Sequence, residues 1–271
     1  MSGSPGSGVR AGGGAVAIIP ARLGSTRFPG KVLADGTGKP LIQHVWESTK
    51  RAASLSRVVI ATDDDRVMSA ARAFGAEAVM TSTEHPNGTS RLAEAAAKLG
   101  LATDAIVVNV QGDEPELDPS VIDDSVAALM QGEAVKSGGA SGGAAIATAA
   151  TLMGVAERAD DPNIVKVVLS RDGFALYFSR SRIPFDRDGN AGEPARCLRH
   201  IGLYVYRRAT LERYAAMAPT PLEQMEKLEQ LRALEHGLRI AVAIVRPEAT
   251  GGGGIDTPEQ YEAFVNRARS R

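Results

Sequence analysis

The sequence predicts an α/β protein built on a doubly wound, mostly parallel sheet with a smaller mixed lobe. Three observations carry that prediction. Short, almost wholly apolar runs recur at residues 15–19, 57–61, 76–80 and 105–110, the pattern of strands buried on both faces. Helix-period segments with stop and start signals lie between them. The strand–helix alternation demands right-handed crossovers.

Each element follows from local chemistry. Residues 15–19 (AVAII) form the first strand, and a twelve-residue loop, 20–31, leaves it. Pro40 suits the first position of a helix to about Ala53, with Leu41, Ile42, Val45 and Trp46 on one face. Residues 57–61 are the second strand. Thr62 and Asp63 are candidate caps of a helix that Gly75 stops after Phe74. The third strand is 76–80, a helix spans 89–99, and the fourth strand is 105–110. The second half is less regular: strands at 145–150, 165–169, 175–178 and 203–206, a helix at 222–236, a strand at 239–245 and a helix at 258–269. Residues 1–14 read as a tail, 137–143 (SGGASGG) as a surface loop, and 15–271 as one domain.

Composition narrows the function. With 44% hydrophobic and 23% charged residues over 271 positions, the chain has ample material for a core. Lys and Arg number 31 against 32 Asp and Glu, so no bulk positive field selects nucleic acid or an anionic membrane. No apolar run reaches the roughly 20 residues of a membrane span. A single cysteine, Cys197, excludes an intramolecular disulfide and a Cys-based zinc site, and a reducing cytoplasm is expected.

Chemistry concentrates in two loops at the carboxyl edge of the sheet, where open α/β folds bind ligands. Loop 20–31 (PARLGSTRFPGK) carries Arg22, Arg27 and Lys31, the hydroxyls of Ser25 and Thr26, and Gly24 and Gly30. Three cations and glycine-exposed amides suit a polyanion such as a nucleoside triphosphate. Five residues separate its glycines and Val32 follows Lys31, so this is not a Walker A loop. Residues 109–116 (NVQGDEPE) leave the fourth strand. With strand order 3-2-1-4, Asp113 would face the phosphate loop, either as a Mg²⁺ ligand or as a turn residue. Asp256, in 251–259 (GGGGIDTPE), reads equally as a helix cap or a second metal carboxylate. The acids of 61–65 (ATDDD) sit at a helix start, where carboxylates are favoured without any metal.

With those residues in hand, the chain resembles the 3-deoxy-manno-octulosonate (Kdo) cytidylyltransferases. The resemblance rests on IPARLGSTRFPGK, NVQGDEP, ALYFSRSRIPFDRD, LRHIGLYVYR, PLEQMEKLEQLR and IDTPE, in this order. It implies a nucleotide-diphospho-sugar transferase, Rossmann-like fold. The implied reaction joins CTP and Kdo to give CMP-Kdo and diphosphate, for lipopolysaccharide synthesis by a cytoplasmic homodimer. By matching position, Arg22, Ser25, Arg27 and Lys31 would hold the triphosphate. Gly88 and Arg91 would lie near base and sugar, and Gln111 would help position both substrates. Asp113 and Asp256 would ligate Mg²⁺. Arg180, His200, Tyr204, Glu229 and Gln230 would line the Kdo pocket. Catalysis would rest on Lys31, Arg22, Asp113 and Asp256. Two alternatives remain open: another acidic sugar as acceptor, and a non-catalytic nucleotide-binding protein on the same fold.

Overall fold

Strand β1 (Ala15–Ala21) sends alternate side chains to opposite faces, and both faces are covered. Ala17, Ile19 and Ala21 enter one buried cluster, and Val16 and Ile18 enter the other. A strand buried on both sides has no solvent face to fill with polar residues, hence its uninterrupted apolar run. The computed structural model describes residues 14–24, 27–134, 142–154, 157–188 and 197–270. Residues 1–13 of the expected tail and 137–141 of the expected surface loop lie outside these. Gly14 belongs to the body, since its carbonyl accepts from the Ser56 hydroxyl at 2.8 Å.

The first half follows the predicted order. Helix α1 (Leu41–Thr49), strand β2 (Leu55–Thr62), helix α2 (Asp65–Ala73), strand β3 (Glu77–Met80), helix α3 (Gly88–Lys98) and strand β4 (Ile106–Asn109) alternate along the chain. Strands β3, β2, β1 and β4 lie side by side, all parallel. The cap of α2 is Asp64, whose carboxylate accepts from the Arg66 amide at 2.8 Å, rather than Thr62 or Asp63. Gly75 ends that helix with φ 77°, a conformation that favours glycine.

Helix α4 (Pro119–Ala134) was not predicted. Its buried Val121, Ile122, Ser125, Val126 and Leu129 keep helical spacing, and Asp118 and Pro119 are ordinary start signals.

The same sheet continues through strand β5 (Ile146–Leu152), the ribbon of β6 (Lys166–Leu169) and β7 (Ala175–Ser179), strand β8 (Leu198–Arg207) and strand β9 (Ile240–Val245). Its order is β3-β2-β1-β4-β8-β5-β9, with β8 antiparallel to β4 and β5, and with the β6–β7 ribbon attached to β8. Strand β8 starts five residues before the predicted 203–206, because Arg199 and His200 interrupt its apolar pattern without interrupting its pairing. Helix α5 (Arg208–Ala215), also not predicted, packs Leu211 and Tyr214 into the second cluster.

The predicted helix 222–236 is two short helices, α6 (Pro221–Glu226) and α7 (Gln230–Glu235). Lys227 takes φ 54° between them. The carbonyls of Glu226 and Lys227, which would accept helical amides in one continuous helix, instead accept from Arg180 at 2.7 and 3.3 Å. Helix α8 (Pro258–Arg269) matches its predicted bounds and opens with a capping box between Thr257 and Gln260.

Strands β1 and β4 approach most closely where their loops leave the sheet. A Cβ on Gly112 would lie 2.7 Å from the Pro20 carbonyl oxygen, a backbone atom with no rotamer to relieve the clash. Gly112→Ala should therefore destabilise the fold by about 1–3 kcal/mol. Urea unfolding with an unchanged midpoint would show that the two loops separate freely.

Candidate active site

The two loops meet on one ammonium. Gly30, at φ 72°, turns the chain into a short 3-10 turn (Lys31–Leu33), and its amide donates to the Leu23 carbonyl to close the loop. That turn buries Lys31. Its Nζ donates to Asp113 Oδ2 at 2.6 Å, to the Ile255 carbonyl at 2.8 Å and to Asp256 Oδ1 at 3.0 Å. Burial pulls the Lys31 pKa down, but Asp113 and Asp256 outweigh it and the net shift is upward. Arg27 donates to the other Asp256 oxygen at 2.8 Å from an exposed position.

A cavity of about 240 Å³ opens beside this cluster, lined by Pro20, Arg22, Gly24, Lys31, Gly88, Gln111, Gly112 and Asp113. Five predicted residues, Arg22, Lys31, Gly88, Gln111 and Asp113, thus share one wall system, with Asp256 and Arg27 joined to it through Lys31. Ser25 lies outside the described residues. Arg22 Nη2 is buried without a hydrogen-bond partner among the described residues. Burial lowers the Arg22 pKa first and the nearby Arg91 lowers it further, against an upward pull from Asp63.

Gln111 donates to the Gly202 carbonyl at 2.9 Å. Gly202 lines a second cavity of about 280 Å³ with His200, Arg199, Glu114, Asn163 and Thr250, so Gln111 stands between the two. His200 contacts the Thr148 hydroxyl at 2.9 Å and packs edge-on against Phe178. Burial pushes its pKa down to about 3, so it is a neutral imidazole at pH 7. Tyr204 lies against His200 and stacks on Tyr206, with its pKa raised by burial and by Glu229. Glu229 has one buried oxygen without a partner, and burial raises its pKa against opposing contacts from Thr89 and Arg232. Gln230 is buried at the start of α7.

Two expectations need correction. Arg91 is not open to base or sugar: its side chain is fully buried, with Nη1 on Thr81 Oγ1 and Nη2 on Asp63 Oδ2, both at 2.5 Å. Arg180 does not present a free fork to a carboxylate. Its guanidinium donates to the carbonyls of Glu226, Lys227 and Pro162, the last at 2.8 Å. It braces the turn that carries Glu229 instead of facing the cavity.

Glu114 and Arg199 were assigned no role in advance, yet both line the second cavity. Burial, then repulsion from Asp113, pushes the Glu114 pKa up to about 7, against the pull of Arg199. Both lie in quoted motifs, Glu114 in NVQGDEP and Arg199 beside His200 in LRHIGLYVYR, and position within those motifs is the signal that points to them. The acids of 61–65 divide as helix-start residues do, with Asp64 capping α2 and Asp63 paired to Arg91.

The donor set fits a hard divalent cation. Two carboxylates from separate loops converge on one point, and the donors there are all oxygen. No group of three metal-ligating side chains occurs among the described residues, so further ligands would come from substrate or water, as Mg²⁺ accepts.

The chain matches the family model described as cytidylyltransferase over residues 16–240. It is 48% identical to the 3-deoxy-manno-octulosonate cytidylyltransferase of Geobacter sulfurreducens, covering 93% of this chain and 98% of that relative. The corresponding protein of Nitratidesulfovibrio vulgaris DP4 is 46% identical, with 93% and 95% covered. A solved CMP:2-keto-3-deoxy-manno-octonic acid synthetase complexed with CTP superposes with a TM-score of 0.84 at 40% identity, covering 95% of this chain and 99% of that one. A 4-diphosphocytidyl-2C-methyl-D-erythritol synthase, at 13% identity and a TM-score of 0.58, shares the fold. Matched by the family model over residues 16–240 and nearly end to end by relatives at 46–48% identity, this chain belongs to the cytidylyltransferase family, among the 3-deoxy-manno-octulosonate cytidylyltransferases.

Proposed function

We propose that this chain transfers a cytidylyl group from CTP to Kdo, giving CMP-Kdo and diphosphate for lipopolysaccharide synthesis. The observation that carries the reading is the Lys31 ammonium joining Asp113 and Asp256 at the wall of a cavity that Arg22 and Gly88 also line. The solved relative in complex with CTP supports CTP as the nucleotide.

The reaction breaks the bond between the α-phosphorus and the bridging oxygen of diphosphate. It forms a bond from that phosphorus to the anomeric oxygen, whose proton leaves to solvent. Such transfers depend on positioning and charge neutralisation. Arg22, Arg27 and Lys31 bind the triphosphate and take up charge as diphosphate departs. Gln111, between the two cavities, orients acceptor against nucleotide. His200, held neutral, donates or accepts a hydrogen bond and adds no charge to the sugar side. Tyr204 packs against His200, and neither it nor Glu229 or Gln230 lines the second cavity, so their part would be to support His200 from behind. Asp113 and Asp256 would hold Mg²⁺, which supplies Lewis-acid polarisation of the phosphates and acidifies the attacking hydroxyl.

We place the enzyme in the cytoplasm, where CTP is available, and expect a homodimer. No described helix is long and apolar enough to cross a membrane. Sedimentation at a monomer mass would remove the dimer.

Diphosphate release with CTP and a panel of 2-keto sugar acids tests the acceptor. Kdo should react fastest and a neutral hexose not at all; equal turnover of a sialic acid would shift the acceptor class. Asp113→Asn and Asp256→Asn should each lower kcat by orders of magnitude in folded protein, because each removes a charged oxygen donor. Near-normal Mg²⁺-dependent turnover in either variant would remove that residue from the site. Arg180→Ala should release the α6–α7 turn and raise KM for Kdo while CTP affinity holds. Because those bonds hold the turn and do not touch the sugar, the loss in kcat/KM should stay below the roughly 10- to 150-fold of a directly lost charge-assisted bond. Arg180→Lys should recover part of it. A loss confined to CTP would contradict the sugar-side placement.

A further inference from the structure

Three neighbouring strands end in one row. Ala21 pairs with Thr62 across β1 and β2, so Arg22 and Asp63 are the next residues along that row. Thr62 pairs with Met80 across β2 and β3, which puts Thr81 beyond Asp63. Helix α3 sends Arg91 across this row from one side. Its Nη1 reaches Thr81 and its Nη2 reaches Asp63, each at 2.5 Å, and its side chain is wholly buried.

Arg22 therefore has a carboxylate as its strand neighbour but no bond to it. Its Nη2 is buried with no partner, beside an ion pair that excludes it. A buried guanidinium nitrogen left unpaired is unfavourable unless something compensates it. Asp63 is the acid placed to capture it, and both arginines feel its charge. Geometry decides the competition. Thr81 orients Arg91 with one nitrogen, so the other meets Asp63 in a fixed direction, while Arg22 is directed into the cavity it shares with Lys31, Gly88 and Gln111.

We propose that Arg91 is a positioning residue for nucleotide binding: by holding Asp63, it withholds that carboxylate from Arg22 and keeps Arg22 open to the triphosphate. This rests on the proposed binding of CTP in the first cavity. It gives the fully buried Arg91 a part in ligand binding without contact with the ligand. It also assigns a purpose to Asp63, which would otherwise be an acid beside an anion site, where it weakens binding by repulsion and by competition for the arginine. Paired to Arg91, it does neither.

A merely structural ion pair predicts a different outcome. Removing one partner of a buried pair destabilises the protein, and removing both often restores stability. In protein that remains folded, such a change acts on anion affinity only through the lost charge, with or without Arg22. Capture of Arg22 by a released Asp63 requires Arg22.

The test is CTP titration by calorimetry in the presence of Mg²⁺, alongside steady-state KM and kcat, on protein shown to be folded by circular dichroism. Arg91→Met should weaken CTP binding by about tenfold or more, the effect of losing one charge-assisted bond, with KM for CTP moving more than kcat. Adding Asp63→Asn to that variant should restore most of the affinity, because the competing carboxylate is gone. In an Arg22→Met background, Arg91→Met should cost far less affinity than it does with Arg22 present. Thr81→Val, which frees Arg91 Nη1 without removing a charge, should weaken CTP binding by a smaller factor, and it serves if Arg91→Met does not fold. Unchanged CTP affinity in folded Arg91→Met or Thr81→Val overturns the inference, as does a loss that Asp63→Asn fails to rescue. Failure of the unmodified protein to bind CTP would instead overturn the nucleotide reading.

Discussion

The site depends on one buried ammonium. Lys31 reaches three acceptors on two other loops: Asp113 after β4, and Ile255 and Asp256 before α8. Burying a charge is costly unless it is paired and hydrogen-bonded, and these acceptors answer the three protons of Lys31. That arrangement ties residues about 80 and 225 positions apart in sequence to one point. It also tolerates two carboxylates near each other, which would otherwise repel.

Glycine makes the convergence sterically possible at two places. Gly112 lets the loop after β4 press against the Pro20 carbonyl. Gly251, at φ 55°, lies against the Glu116 backbone, where a Cβ would fall 2.3 Å from its carbonyl oxygen. The acidic loop is thus pinched between the basic loop on one side and the glycine run on the other. Glu116 is further fixed by Arg267 of α8 at 2.5 Å. Within the run 251–254, Gly251 and Gly252 lie hard against Glu116 and Arg267 on the way to Asp256.

What could be read in the sequence is what depends on short-range pattern. The four parallel strands, their order and the loops that carry Arg22, Lys31 and Asp113 follow from apolar runs and from the rule that ligands bind at the carboxyl edge. Arg91 and Arg180 were harder because an arginine in a motif has the same letter whether its fork faces a ligand or a carbonyl. Asp63 and Thr81, remote in sequence, decide the first case; the carbonyls freed by Lys227 at positive φ decide the second. The break in the 222–236 helix belongs to the same fact, since helix-forming residues surround it and only a tertiary donor ends it.

Charge then explains why the cradle has so many arginines yet no excess of bound acid. Arg22, Arg27, Lys31 and Arg91 face Asp63, Asp113 and Asp256, leaving a single net positive charge among these groups. A single charge attracts a polyanion but does not neutralise it. A cradle with every acid removed would bind triphosphate and diphosphate alike too firmly to turn over, since uniform binding lowers KM without raising kcat. On the proposed reading, Asp113 and Asp256 would hold the divalent cation that completes neutralisation of the phosphates. Asp63 differs in its partner: Arg91 holds it, whereas Asp113 and Asp256 share Lys31. The crevice thus carries two kinds of carboxylate: a pair gathered at the Lys31 ammonium, and one held by Arg91 away from Arg22.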